Sequence, residues 1–177
     1  MNSPALFRRR SFLLASGVAA LIGVPGIGRL ARAEDVVDIT MAGTPNGSSV
    51  WFKPRGLLIQ PGQSVRWINR DSGNSHTSTA YHPANFGKAL RIPRAAKSWD
   101  SGFLLPGESY TLRFDVPGVY DYFCLPHEHA GMVARLIVGE PDADAQALRQ
   151  ASDGALPPQA LAGFPTIEQV LAKRVVD

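Results

Sequence analysis

The chain has 177 residues, of which 45% are hydrophobic and 19% charged, a composition typical of a globular protein that buries a sizeable core. Its formal net charge of +3 is unevenly placed, because residues 1–33 carry five arginines and no acidic residue. Removing those five from the 18 basic residues leaves 13 against 15 acidic ones, so the rest of the chain is slightly acidic. This balance argues against a nucleic acid or an anionic membrane surface as partner.

The N-terminal segment is typical of an export signal. The string RRSFL at residues 9–13 resembles the twin-arginine motif, an apolar stretch follows it, and ARA at residues 31–33 offers a cleavage site. We therefore predict a twin-arginine-type signal peptide over residues 1–33, cleaved before Glu34, and a periplasmic location. The alternative is an uncleaved membrane anchor, although the apolar run is shorter than the roughly 20 residues of a spanning helix.

Residues 34–139 alternate short apolar runs with turn signals, the pattern of an all-β sandwich. Tyr110, Leu112 and Phe114 fall on one face of their run, as expected of a half-buried strand. We predict a Greek-key β-sandwich in this domain. The candidate strands are residues 36–41, 57–59, 64–68, 110–114, 119–124 and 132–138, and the aromatic residues expected in the core are Trp67, Trp99, Tyr120 and Tyr122.

Two further segments are less regular. The stretch between His76 and Ser109 is long and weakly periodic, and we expect a functional loop with one or two short strands. Residues 140–177 form a predicted C-terminal extension with one or two short helices, over residues 142–151 and 166–175. In the second, Thr166 and Gln169 fit a capping box, while the prolines before it are interpreted as helix breakers. This extension either packs on the sandwich or is partly disordered.

Cys124 is the single cysteine of the chain. An exported protein often uses cysteines in pairs, so an unpaired thiol is a buried inert residue, a free reactive group or a metal ligand. In an oxidising compartment an unoccupied thiol is exposed to oxidation. Occupation by a metal ion would protect it.

Cys124 begins a Cys-x2-His-x4-Met string that includes His127 and ends at Met132, and His76 lies upstream after a short polar loop. One thiolate, two imidazoles and one thioether form the donor set of a blue copper centre. The thiolate binds strongly, the imidazoles complete a trigonal plane, and the thioether binds weakly on the axis. His82, six residues after His76, competes for the upstream position.

Other chemistries fit these residues less well. A structural zinc site is usually rich in cysteine and spaced differently, and a catalytic iron site normally adds a carboxylate to two histidines. A cysteine nucleophile with a histidine base would need an oxyanion device, which the sequence does not reveal. The structural alternatives are a buried thiol at Cys124, a loop imidazole at His76 and a core side chain at Met132.

The sequence resembles the small cupredoxins, especially pseudoazurin and plastocyanin. The match covers residues 36–139 and includes the segments WINRDSGNSHT and PGVYDYFCLPHEHAGMVARLIVG. Cys-x-Pro-His-x4-Met is the ligand-loop spacing of those two families. The resemblance implies a cupredoxin fold and one mononuclear type 1 copper ion. It implies that the ligands are His76, Cys124, His127 and Met132.

The resemblance also implies a function. A cupredoxin of this type is not an enzyme; it carries single electrons by outer-sphere transfer through the exposed edge of His127. Its partners would be exported redox proteins such as c-type cytochromes or copper enzymes, and we expect a monomer that touches a membrane only through an uncleaved leader. The alternative function is copper storage, delivery or sensing without redox turnover. His129 is hypothesised to affect partner docking or the response to pH.

Overall fold

Nine strands in two sheets form the domain, in a computed structural model that describes residues 36–141 and 153–177. In the first sheet the strand order is β2-β1-β4-β6, and in the second it is β5-β7-β8-β3-β9. The strands are β1 (Val36–Gly43), β2 (Val50–Lys53), β3 (Gly56–Ile59), β4 (Gln63–Asn69), β5 (Thr79–Ala80), β6 (Ser109–Phe114), β7 (Gly118–Phe123), β8 (Val133–Val138) and β9 (Val175–Val176).

Strands distant in the chain are neighbours in both sheets. β1 pairs in parallel with β4, and β3 pairs in parallel with β8, whereas the other paired strands run antiparallel. Such crossovers between the sheets are those of a Greek-key sandwich. The prediction of an all-β sandwich is therefore confirmed.

The core lies between the two sheets and is rich in aromatic side chains. The indole of Trp67 stacks on that of Trp99, with ring centroids 6.0 Å apart, and meets the ring of Tyr122 edge-on at 5.5 Å. Tyr110 and Phe114 turn inwards from β6. Burial of these rings contributes both apolar area and favourable edge-to-face contacts. The predicted core positions of the four aromatic residues are confirmed.

The sequence did not reveal β2 and β9, whereas β5 is one of the short strands expected between His76 and Ser109. β2 is only four residues long, and β9 is a pair of residues held to β3 by backbone hydrogen bonds, including Leu58 N–H to Arg174 C=O at 2.8 Å. The helix predicted over residues 166–175 is shorter than expected, because Arg174 adopts a positive φ of 63° and turns the chain into β9. Two residues are too few for a periodicity to be detected.

The C-terminal extension packs on the sandwich over residues 153–177. It contains the helices α1 (Pro158–Gly163) and α2 (Ile167–Lys173), and the predicted capping box at Thr166 and Gln169 is present. Reading the prolines as breakers was wrong for Pro158, which begins α1, where its missing N–H has no helical partner to lose. The helix predicted over residues 142–151 lies outside the described residues.

A buried ionic cluster joins this extension to the second sheet. The Asp121 carboxylate accepts hydrogen bonds from Arg135 Nε at 2.7 Å and Arg91 Nε at 3.0 Å. Arg91 also reaches Asp153 at 2.6 Å, and Arg135 donates to the carbonyl of Pro165 at 2.7 Å. Because buried charges need partners, this cluster fixes the extension against β7 and β8.

Within residues 36–141 and 153–177, no helix has the length and apolarity to span a membrane.

Candidate metal centre

Three predicted ligands come together at one end of the sandwich. Cys124 follows β7 directly, His127 lies in the 3-10 helix Leu125–Ala130, and His76 lies between β4 and β5, where it forms an isolated bridge with Leu104. The Sγ atom of Cys124 is 3.5 Å from Nδ1 of His76 and 3.4 Å from Nδ1 of His127. The three donor atoms all lie within 4.8 Å of one another.

Met132 closes the ligand loop immediately before β8. It is fully buried and belongs to the same core cluster as Cys124. Two backbone hydrogen bonds hold it in place, from Cys124 N–H to its carbonyl at 3.0 Å and from its own N–H to the carbonyl of His127 at 3.1 Å. The loop therefore has a closed backbone frame.

The two remaining histidines lie elsewhere. His82 is in a separate turn, where its Nδ1 accepts a hydrogen bond from the N–H of Ala84 at 3.1 Å. His129 is exposed at the end of the ligand loop. The geometry thus favours His76 over His82 as the upstream ligand, a choice that the sequence left open.

Local sequence explains the shape of the ligand loop. Pro126 occupies the first turn of the 3-10 helix, and Gly131 ends it in the left-handed region with φ of 82°. A Cβ atom on Gly131 would lie 3.0 Å from the carbonyl oxygen of Gln159 in α1, so the glycine also permits close packing of the extension. The C-terminal extension therefore contacts the metal-binding loop itself.

Glu128 anchors the loop from the opposite direction. Its carboxylate is buried and accepts a hydrogen bond from the hydroxyl of Tyr81 at 2.9 Å, and it forms an ion pair with Lys88. Sequence reasoning missed this residue, because its partners lie in the irregular stretch after His76. The signal that was present is an acidic side chain between the two histidines of the ligand loop.

Asp71 supports the other ligand, His76. Its Oδ2 atom lies 3.1 Å from Nε2 of His76 and also accepts from the side-chain amide of Asn74 at 2.9 Å, while Oδ1 accepts from Gly73 N–H at 2.8 Å. Burial opposes ionisation of this carboxyl, but the hydrogen bonds from Asn74, Gly73 and His76 outweigh it and lower the pKa of Asp71 to about 2. Asp71 is therefore ionised at neutral pH, although no pattern in the sequence indicates its contact with His76.

The electrostatics of the three grouped donors suit a bound cation. Burial lowers the pKa of both His76 and His127, so both rings are neutral at pH 7 and offer lone pairs. Burial also raises the pKa of the Cys124 thiol to about 11, against the opposing hydrogen bond from Thr77 N–H at 3.3 Å. Ionising this thiol requires a positive charge beside it, which a soft metal ion supplies. The residues present therefore fit copper.

The two-sheet sandwich and its Cys-His-His cluster, with a methionine at the end of the same loop, define the cupredoxin class. The model of the family "Copper binding proteins, plastocyanin/azurin family" matches residues 39–139, and the chain belongs to that family. Copper is accordingly the cofactor, as one ion, and the chain is a blue copper electron-transfer protein. The resemblance drawn from the sequence is confirmed.

Individual relatives agree with this membership. The chain is 37% identical over 120 residues to the chloroplastic plastocyanin of Tetradesmus obliquus, covering 68% of this chain and 78% of that protein. It is 28% identical over 125 residues to the pseudoazurin of Methylorubrum extorquens, covering 69% and 74%. The native pseudoazurin of Hyphomicrobium denitrificans matches in structure with a TM-score of 0.55 at 18% identity, covering 78% and 97%, which shows the shared fold.

Proposed function

We propose that the protein is an exported electron carrier whose single type 1 copper ion is held by His76, Cys124, His127 and Met132. The observation that carries this proposal is the grouping of the His76, Cys124 and His127 donor atoms within 4.8 Å of one another. When bound, the copper ion supplies a one-electron couple between Cu(II) and Cu(I). The four side chains account for a complete type 1 ligand set, which supports electron transfer rather than enzymatic turnover.

The surroundings of the ligands support a rigid site. The N–H of Thr77 points to Cys124 Sγ, and the Thr77 hydroxyl accepts from the N–H of Leu125 at 2.8 Å. Together with the backbone closure between Cys124 and Met132, these bonds fix the donors through protein contacts. A ligand set held in this way changes little between oxidation states, which favours fast outer-sphere transfer.

His127 supplies the route to a partner. His76, Cys124 and Met132 are fully buried, whereas His127 is half-buried next to the exposed Pro126. We infer that electrons pass through the accessible edge of the His127 ring, which is the shortest covalent connection between the ligand set and solvent among these four residues.

Apolar side chains surround this end of the domain. Phe103 and Leu105 are 58% and 57% exposed, and they flank Leu104, whose backbone exchanges hydrogen bonds with His76 at 2.8 and 3.1 Å. A small apolar surface beside an electron exit suits brief docking with a small interface. We propose exported redox proteins as partners, with c-type cytochromes and copper enzymes as the candidate classes.

The location and domain boundaries rest on the sequence. Residues 1–33 lie outside the described part of the chain, and their twin-arginine motif and cleavage site support export to the periplasm. We propose residues 34–139 as the cupredoxin domain and residues 140–177 as the extension.

Copper storage, delivery or sensing would use the same ligands. Burial of three of the four ligands favours the electron carrier, because it slows release of the ion.

Two measurements on the chain from Glu34 to Asp177 test this proposal. Addition of Cu(II) should give an intense thiolate-to-copper absorption band, and Cys124→Ser should abolish it. Self-exchange measured by NMR should be fast, while transfer of copper to a chelator should be slow. A colourless protein that retains zinc would disprove the copper site, and rapid copper release with slow self-exchange would favour copper delivery instead.

A further inference from the structure

A buried carboxylate lies directly behind the upstream histidine. Nε2 of His76 and Oδ2 of Asp71 are 3.1 Å apart, and their side chains are 0% and 4% exposed. Oδ1 of Asp71 accepts from Gly73 N–H and Oδ2 accepts from the Asn74 amide, so the carboxylate acts as an acceptor and Nε2 of His76 carries the hydrogen. The lone pair of the ring is then on Nδ1, the atom that lies 3.5 Å from Cys124 Sγ.

We propose that Asp71 is a positioning residue of the copper site: its carboxylate fixes the Nε2–H tautomer of His76 and lowers the reduction potential through an uncompensated negative charge. This inference rests on the proposed role of His76 as a copper ligand. Carboxylate–histidine–metal arrangements of this kind orient the ring and increase its basicity. A more basic imidazole and a nearby negative charge both stabilise the more highly charged Cu(II) state relative to Cu(I).

Asp71 differs from the other buried carboxylates described in the partner that faces its charge. Asp121 is paired with Arg91 and Arg135, and Glu128 is paired with Lys88. The partner that faces Asp71 is His76, whose imidazole must be neutral to bind a metal ion through Nδ1, so it brings no compensating charge. Since a charge in a buried environment is weakly screened, the field of Asp71 reaches the metal position with little attenuation.

The carboxylate is held by a network rather than by the histidine alone. The side-chain oxygen of Asn69 accepts from Asp71 N–H at 2.9 Å, and its amide donates to the carbonyls of Asn74 and Leu104 at 2.8 and 2.9 Å. Gly43 of β1 leaves the necessary room, because a Cβ there would lie 2.1 Å from Oδ2 of Asp71. Asn69 thus links the backbone of Asp71 to two other parts of the chain and holds the carboxylate against His76.

The test compares Asp71→Asn with Asp38→Asn. The control removes the same charge from an exposed pair on β1, where Asp38 accepts from Arg66 at 2.8 Å. In the copper-loaded protein, Asp71→Asn should shift the equilibrium with a redox reference about tenfold towards Cu(I), equal to about 59 mV for one electron. Asp38→Asn should change it less than about twofold, because solvent screens the exposed charge.

A second readout needs no copper. In the metal-free protein at pH 7, the 15N shifts of the His76 ring should report one tautomer with hydrogen on Nε2. In Asp71→Asn the NH2 group faces either Gly73 N–H or the Asn74 amide and His76 Nε2, so neither orientation satisfies every donor. The second orientation favours hydrogen on Nδ1 of His76, and the variant should therefore show a mixture of tautomers. Wild-type protein with hydrogen on Nδ1, or equal redox shifts in both variants, would overturn the inference. Absence of a thiolate band from the wild type would instead overturn the copper site itself.

Discussion

The two sides of the metal centre are built by different means. On one side, Cys124, His127 and Met132 lie within nine residues, and local backbone hydrogen bonds shape the loop that carries them. On the other side, His76 depends on Asp71 and on a network that reaches distant parts of the chain. The comparison teaches that contiguous ligands are arranged first by the backbone hydrogen bonds of their own loop, whereas a single ligand is positioned by polar residues that bind no metal.

The largest expected effect separates the two candidate upstream ligands. His76→Ala should abolish the intense thiolate-to-copper band, because the grouped donor set loses one of its three members. His82→Ala should leave the visible spectrum unchanged, since the ring of His82 faces its own turn. Spectra of both variants at equal copper loading provide the comparison, and a spectrum lost only in His82→Ala would reverse the assignment.

The stability of the metal-free protein should depend on pH through the buried thiol of Cys124. The folded state raises the pKa of Cys124 from 9.0 to about 11, so the unfolded state releases its proton first as the pH rises. The free energy of unfolding should therefore fall between about pH 9 and 11, by up to about 3 kcal/mol from this group.

Denaturant unfolding at pH 8 and pH 10 under reducing conditions measures this change. Ionisation of buried tyrosines also destabilises the folded protein at high pH, so Cys124→Ala is the matched control. A loss of stability that is identical in the wild type and in Cys124→Ala would contradict the assignment.

Neutralising the buried carboxylate of Glu128 should affect stability more than the reduction potential, in contrast to neutralising Asp71. Glu128→Gln removes the partner of Lys88, and we expect the unfolding free energy of the metal-free protein to fall by about 2 kcal/mol. In the copper-loaded protein, the reduction potential of Glu128→Gln should change much less than that of Asp71→Asn, because Lys88 compensates the charge of Glu128. A larger redox shift in Glu128→Gln than in Asp71→Asn would remove the proposed distinction between the two sides.

A smaller effect tests the contact between the extension and the ligand loop. Gly131→Ala and Gly102→Ala both place a side chain at positive φ, of 82° and 65°. The added Cβ at Gly131 meets Gln159 at 3.0 Å, whereas nothing lies within 4 Å of that at Gly102. Backbone strain alone should cost about 1 kcal/mol in each variant, and Gly131→Ala should lose about 1 kcal/mol more. Equal losses in thermal unfolding would show that the extension does not restrain the loop.

The sequence predicted the features that depend on neighbouring residues. The ligand loop, the main strands and the capping box at Thr166 are local patterns, and each appears in the fold. The choice between His76 and His82 is not local, because it depends on contacts such as the bridge between His76 and the distant Leu104. Glu128 was missed for the same reason, since its partners Tyr81 and Lys88 are distant in the chain. Asp71 is close to His76 in the chain, but it was missed because no periodic pattern marks a contact within an irregular loop.

The pairing of β9 with β3 also affects the solubility of shortened chains. Backbone bonds from Arg55 N–H to Val176 C=O and from Leu58 N–H to Arg174 C=O, both 2.8 Å, cover one side of the apolar strand Gly56–Ile59. Removing the last four residues would expose donors and acceptors along that strand, and uncovered apolar edges favour self-association into extended β-structure. The two-residue strand at the C-terminus thus protects the molecule from aggregation.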